Sequence, residues 1–192
     1  MKIFPFPWKN VSNVSGKQYV CGHCNNNVAP SFAFTAYQRN RGMDVPHIFI
    51  CPLCNLPTFF DESEQQIPGY KYGDDVKKLP NEILNLYNEA RKSFSIGAFN
   101  GVVMLTRKLL MHVSVNHGAS TNLKFVEYVD YLNDNHYIPV KAKSWVDRIR
   151  KTGNIANHEI EHINETQAKD ILNFTSAMLK NLYEFQIDNE ED

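Results

Sequence analysis

The sequence lacks several features that would place it in a broad functional class. None of its apolar runs approaches the length of a membrane span, and no glycine-rich loop could hold a nucleotide phosphate. Residues 1–8 contain one lysine and two prolines but no apolar stretch of the kind found in secretory signal peptides. The formal net charge is only -1, so the chain has no overall positive charge with which to attract nucleic acid. These absences predict a cytoplasmic protein without membrane contact, in which any basic surface is local.

Cysteine is scarce, but the four cysteines that are present are paired. Cys21 and Cys24 form one C-x2-C motif, and Cys51 and Cys54 form a second after 26 intervening residues. Each motif places two thiolates on one tight turn, so two turns can supply four ligands to a tetrahedral ion. In a cytoplasmic chain this predicts a structural zinc ion, with an iron–sulfur centre or four unrelated cysteines as the alternatives. We expect His23 to be exposed or to support the ligands.

Hydrophobic periodicity divides the chain into a small β part and a larger helical part. Residues 1–60 contain short alternating segments around both cysteine motifs, which predicts a zinc ribbon built on a β-hairpin. Residues 61–78 have no period and are predicted to be a linker. Residues 79–188 carry the apolar stripes of successive helices, and residues 189–192 form an acidic tail. The predicted fold class is mainly α, a helical bundle with a small N-terminal β zinc ribbon.

Start and stop signals mark the predicted helices. Pro80 suits the beginning of the first helix, and Gly97 ends it. A helix is predicted over residues 141–150. Asn164, with Gln167 three residues later, predicts a capping box at the start of the last helix.

Two arginines lie at the predicted tip of the β-hairpin. Arg39 and Arg41 follow Tyr37, a combination that suits contact with phosphates and stacking on a base. The same composition is typical of an ordinary solvated turn, so both interpretations stay open.

The most unusual stretch in the helical part surrounds a helix break. Gly153 interrupts the apolar pattern three residues after Arg150. Asn154 and His158 then have i, i+4 spacing, so they share one face of a helix that begins there. An arginine, an amide and an imidazole are therefore grouped around one break.

Several short motifs carry a resemblance to a known family. The helical part resembles an uncharacterised bacterial domain of unknown function, found alone, behind zinc ribbons or attached to type I restriction subunits. The motifs are Y-N-E-A-R at 87–91, R-K-L-L at 107–110, Y-V-D-Y-L at 128–132, R-K-T-G-N at 150–154 and A-N-H-E at 156–159.

That family looks like a branch of the HEPN superfamily of small antiparallel helical bundles. The resemblance implies a HEPN-like, nucleic-acid-associated module of phage-defence type, either a metal-independent endoribonuclease or a non-enzymatic assembly module that uses its helical face. It also implies a homodimer, for which the apolar residues Met104, Leu105 and Met111 offer a surface, and RNA or another defence-system protein as partner.

Metal-independent cleavage of RNA needs a base, an acid and a cation near the phosphate. The resemblance assigns these roles to His158 as acid or base, Arg150 as phosphate clamp and Asn154 as orienting group. Seven residues separate Arg150 from His158, more than in active HEPN nucleases. The alternative is that Asn154 and His158 satisfy backbone groups left unpaired at the helix break.

Overall fold

The computed structural model describes residues 8–12, 17–36, 46–138, 149 and 163–185, with the backbone alone at 8–12 and 36. The chain divides into two compact units, Met1–Lys71 and Tyr72–Asp192. The division falls inside residues 61–78, the segment predicted to be a linker. Among the described residues, no helix combines the length and the hydrophobicity needed to cross a membrane.

The first unit is built from short antiparallel strands. Five strands form one sheet in the order β1-β4-β5-β6-β7, and β2 pairs with β3 in a separate two-stranded sheet. The pairing of β4 with β5 is the predicted hairpin, with Phe34 opposite Ile48. The strands are β1 Trp8–Ser12, β2 Tyr19–Val20, β3 Asn27–Val28, β4 Phe32–Ala36, β5 His47–Ile50, β6 Pro57–Phe60 and β7 Gln66–Ile67.

Aromatic side chains supply most of the core of this unit. Tyr19 packs edge-on against Phe60 with ring centroids 5.1 Å apart, and Phe49 contacts the same ring at 5.7 Å. Cys21 and Cys51 are fully buried within this cluster. Three large rings thus fill much of the interior of a unit whose strands are only two to five residues long.

The second unit is helical in its described part. Asn164 and Gln167 form the predicted capping box, each accepting the other's backbone N–H at 2.9 Å. Gly97 has a left-handed backbone with φ 74°, which ends the first helix where glycine was expected to end it. The helices are α1 Asn81–Ser95, α2 Phe99–Asn116, α3 Phe125–Asp134 and α4 Glu165–Leu179, the last continuing as one π-helical turn, Lys180–Glu184.

Helix α2 lies at the centre of the helical core. It packs against α1, α3 and α4, so its apolar residues are buried on several sides. Gly101 faces α1, and an added Cβ there would lie 3.4 Å from the Ser93 hydroxyl oxygen, in ordinary van der Waals contact. The fully buried apolar residues of α2 are Val102, Val103, Leu109, Leu110 and Val113.

An extended segment preceding α1 is held by a buried arginine. This strap, residues 72–76, runs across α1, and Arg91 is only 3% exposed beneath it. Arg91 donates from Nε to the Tyr72 carbonyl at 3.1 Å and from Nη2 to the Gly73 carbonyl at 2.8 Å, and it pairs with the Asp75 carboxylate.

Other contacts fix the same strap. The Tyr87 hydroxyl donates to the Asp74 carbonyl at 2.8 Å, and Lys180 of the π-helical turn pairs with the Asp74 carboxylate at 2.8 Å. Gly73 has φ 87°, and an added Cβ there would lie 2.7 Å from the Tyr87 oxygen. Val76 is buried in the helical core. The strap is therefore part of the helical unit.

We predict that Arg91→Ala destabilises the helical unit by about 1.5 to 3 kcal/mol, because two carbonyls and one carboxylate lose a charged donor. Chemical denaturation monitored by helical circular dichroism measures the free energy of unfolding. Lys92→Ala is the matched control, since Lys92 is exposed on the same helix and should change stability by less than about 0.5 kcal/mol. Equal effects of the two substitutions would show that Arg91 does not hold the strap.

Candidate metal centre

The four cysteines lie on two turns with the same backbone geometry. We call residues 21–26 the first knuckle and residues 51–56 the second knuckle. In the first, the N–H of Cys21 donates to the Asn26 carbonyl at 2.9 Å, and the N–H of Asn25 donates back to the Cys21 carbonyl at 2.8 Å. The equivalent bonds of the second knuckle measure 3.1 and 2.9 Å. Each pair of cysteines is thus fixed by a closed turn.

An asparagine completes each turn. Asn25 has φ 60° and Asn55 has φ 57°, so both adopt the left-handed conformation that reverses the chain after the second cysteine. Asparagine tolerates this conformation better than most residues that carry a side chain. Sequence reasoning missed both residues, although the signal was present, because each motif reads C-x2-C-N.

The four sulfur atoms converge on one point. The sulfurs of Cys21 and Cys54 are 3.8 Å apart, as are those of Cys24 and Cys51. All four lie within 4.8 Å of one another. A tetrahedron with zinc–sulfur bonds of about 2.3 Å has edges of roughly 3.8 Å. The cluster is therefore compatible with a zinc-binding site, and it brings together all four predicted ligands.

The thiols influence one another strongly. Burial, and then hydrogen bonds with the other three cysteine sulfurs, raise the pKa of the Cys54 thiol to about 12. At Cys24 burial acts in the same direction, but hydrogen bonds from Asn26 and from neighbouring cysteines outweigh it and lower the pKa to about 6. A metal-free cluster therefore retains protons at neutral pH. A divalent cation displaces them when it binds, so affinity for the cation falls as pH falls.

The chain itself covers the first knuckle. We call residues 66–71 the cover segment. The backbone N–H of Lys71 donates to the Asn25 side chain at 3.0 Å, and its ammonium group donates to the His23 carbonyl at 2.6 Å. An added Cβ on Gly22 would lie 2.4 Å from the carbonyl oxygens of residues 68 and 69. Glycine is thus required for the cover segment to lie this close.

His23 connects the two knuckles without binding the metal. Its Nε2 donates to the Pro57 carbonyl at 2.9 Å, directly after the second knuckle. The metal-ligand cluster contains the four cysteines alone among the described residues. This agrees with the prediction that His23 supports the ligands.

The remaining candidate residues lie outside the described part of the chain. This applies to Arg39 and Arg41, and to Arg150, Asn154 and His158.

The structure does describe residues on either side of Arg150, Asn154 and His158. Ile149, in the predicted helix over 141–150, is fully buried in the helical core. Ile163 is 6% exposed, and its N–H donates to the Asn100 side chain of α2 at 3.0 Å. Ile149 and Ile163, which precede and follow the predicted nuclease residues, are thus both packed in the helical core.

Comparison with known protein families shows to which family the chain belongs. The family model for the domain of unknown function DUF4145 matches residues 88–191, slightly more than half of the chain. The chain belongs to this family. The match confirms the predicted resemblance to an uncharacterised domain family. No curated protein and no solved structure matches the chain. The DUF4145 match begins within α1 and includes α2, α3 and α4, whereas the cysteine cluster lies outside it.

We predict that Gly22→Ala displaces the cover segment, because the new methyl group would overlap two backbone carbonyls. Hydrogen exchange measured by mass spectrometry should show faster exchange over residues 66–71, with the DUF4145 domain unchanged. Pro52→Ala is the control, because Pro52 is exposed at the equivalent position of the second knuckle. It should leave hydrogen exchange over residues 66–71 unaltered. An unchanged exchange rate in Gly22→Ala would contradict the described packing.

Proposed function

We propose that the protein is a nucleic-acid-associated module of bacterial defence type, in which a structural zinc ribbon is joined to a HEPN-like DUF4145 domain. The observation that carries the zinc assignment is the convergence of four cysteine sulfurs within 4.8 Å of one another. Membership of DUF4145, together with the motifs that resemble HEPN proteins, supports the function of the helical domain.

The role of the zinc follows from its ligands. Four thiolates from the chain fill a tetrahedral shell, so no position is left for a catalytic water or a substrate. Iron would accept the same ligands, but nothing in the described surroundings serves a redox reaction. We therefore assign the metal to stabilising the ribbon, as is usual for a small domain with few buried side chains.

We predict a near-equimolar amount of zinc in the purified protein. Cys51→Ser should lose the metal and unfold the ribbon, because three thiolates no longer close the shell. His23→Ala should keep it, since His23 bonds to a carbonyl. Metal analysis by mass spectrometry measures both contents. Full zinc content in a variant that lacks all four cysteines would refute the site.

In the proposed reaction the RNA supplies its own nucleophile. His158 accepts the proton of a 2′-hydroxyl, and the freed oxygen attacks the adjacent phosphorus as the bond to the 5′-oxygen breaks. The leaving 5′-oxygen takes up a proton from water. Arg150 neutralises the charge that develops on the phosphate oxygens, and Asn154 orients one of the two groups. The products carry a 2′,3′-cyclic phosphate and a free 5′-hydroxyl. Because DNA has no 2′-hydroxyl, it is not cleaved.

We predict that His158→Ala lowers the rate of RNA cleavage by about 10²- to 10⁴-fold, the usual contribution of an acid–base group. The melting temperature should change little, and a chelator should not inhibit cleavage while the ribbon remains folded. His136→Asn is a matched control, because His136 is exposed and asparagine accepts its left-handed backbone. Single-turnover assays on a labelled oligonucleotide measure the rate.

If His158 only supports the fold, the two measurements give the opposite results. Wild-type protein would then show no cleavage, and His158→Ala would be destabilised by about 1 to 3 kcal/mol because a buried backbone group loses its partner. Measuring both quantities on the same variant separates the two roles.

A second candidate is a non-enzymatic assembly module that uses the helical face. The observation in its favour is exposed apolar surface, with Met104 of α2 at 44% and Ile96 at the end of α1 at 70%. Leu105, also expected on that face, packs partly against the core. The homodimer remains a prediction.

A further inference from the structure

We propose that the second knuckle is a docking surface for an apolar patch on a partner protein. The inference rests on the proposed zinc site only because the metal holds this loop in shape. It concerns a different part of the chain from the candidate nuclease residues.

The two knuckles share a backbone but present different side chains. Gly22 of the first corresponds to Pro52 of the second, and His23 corresponds to Leu53. In the same register the polar Asn26 is replaced by Leu56. The second knuckle thus carries apolar groups at three positions where the first carries a glycine, a histidine or an asparagine, while Asn25 and Asn55 are the same in both.

Exposure differs in the same direction. Gly22 is buried beneath the cover segment, and the side chain of His23 is bonded. On the second knuckle Leu53 is 63% exposed and Leu56 is 45% exposed, and Pro52 beside them is exposed too. No described residue covers this loop as the cover segment covers its counterpart. Its leucines therefore add little to the core of the ribbon.

The loop is also well suited to binding because its shape is fixed. Two backbone hydrogen bonds and two metal ligands restrain six residues, and Asn55 completes the turn. Side chains held on a rigid turn lose little conformational entropy when a partner binds. Exposed leucines on such a turn gain free energy when an apolar pocket removes them from water.

The absence of charged residues around the second knuckle favours an apolar partner surface. From residue 46 to residue 60 the sequence contains no aspartate, glutamate, lysine or arginine. Of the lysine side chains described in this unit, Lys17 pairs with Glu64 and lies over the Phe60 ring, and Lys71 donates to the His23 carbonyl. A phosphate-bearing partner would find no cation on the loop. An apolar protein surface could cover it without leaving a charge unpaired.

A random-peptide library displayed on phage and selected against the full zinc-loaded chain tests this proposal. We expect enriched peptides that carry apolar residues without acidic clusters. Leu53→Ser should weaken their binding roughly 10-fold or more, the loss expected when one buried leucine is removed. Leu56→Ser should act in the same direction. Ile67→Ser is the matched control, because Ile67 is 49% exposed on β7.

Zinc content is measured on every variant, so that a failure of the ribbon to fold is distinguished from a failure to dock. The proposal is overturned if the library yields no enriched peptides. It is also overturned if Leu53→Ser retains its zinc and binds the peptides as well as the wild-type protein does. Two further results would also overturn it. In one, sedimentation shows a dimer that only Leu53→Ser dissociates, which makes a second copy the occupant. In the other, binding of poly(U) RNA is lost in Leu53→Ser alone.

Discussion

The convergence of four sulfur atoms is the constraint on which the first unit depends. Two turns separated by 26 residues along the chain bring their thiols within 4.8 Å, a distance at which four thiolates would repel one another strongly. Burial, and then hydrogen bonds with the other three cysteine sulfurs, raise the pKa of Cys54 to about 12, so removing the proton from this thiol is costly as well. A divalent cation removes the repulsion, so the proposed zinc makes this arrangement of strands favourable.

The sequence was most informative where the determining interactions are local. The C-x2-C pairs, the capping box at Asn164 and the stop at Gly97 each depend on residues a few positions apart, and the structure agrees with all of them. Two-residue strands such as β2, β3 and β7 are too short to show a period, so periodicity could not predict them.

The aperiodic segment 61–78 shows where prediction from the sequence ends. Its lack of a hydrophobic period, its Pro68-Gly69 pair and its paired aspartates suggested a linker, yet both of its halves are held by contacts with residues distant in sequence. Lys71 fixes the cover segment to the first knuckle, and Arg91 fixes the strap to α1. Such bonds run from a side chain to backbone carbonyls, which every residue possesses, so no residue pattern in the segment reveals them.

The two units also differ in what stabilises them, and this bears on the exposed leucines. The helical core has many large apolar residues, whereas the ribbon core is a few aromatic rings around two cysteines. For a domain with so small a core, the proposed metal would supply much of the stability. Leu53 and Leu56 contribute to neither the ribbon core nor the cysteine cluster, because they lie outside the core and are not ligands. Since their exposure to water opposes solubility without strengthening the fold, the proposed contact with another protein would give them a physical role.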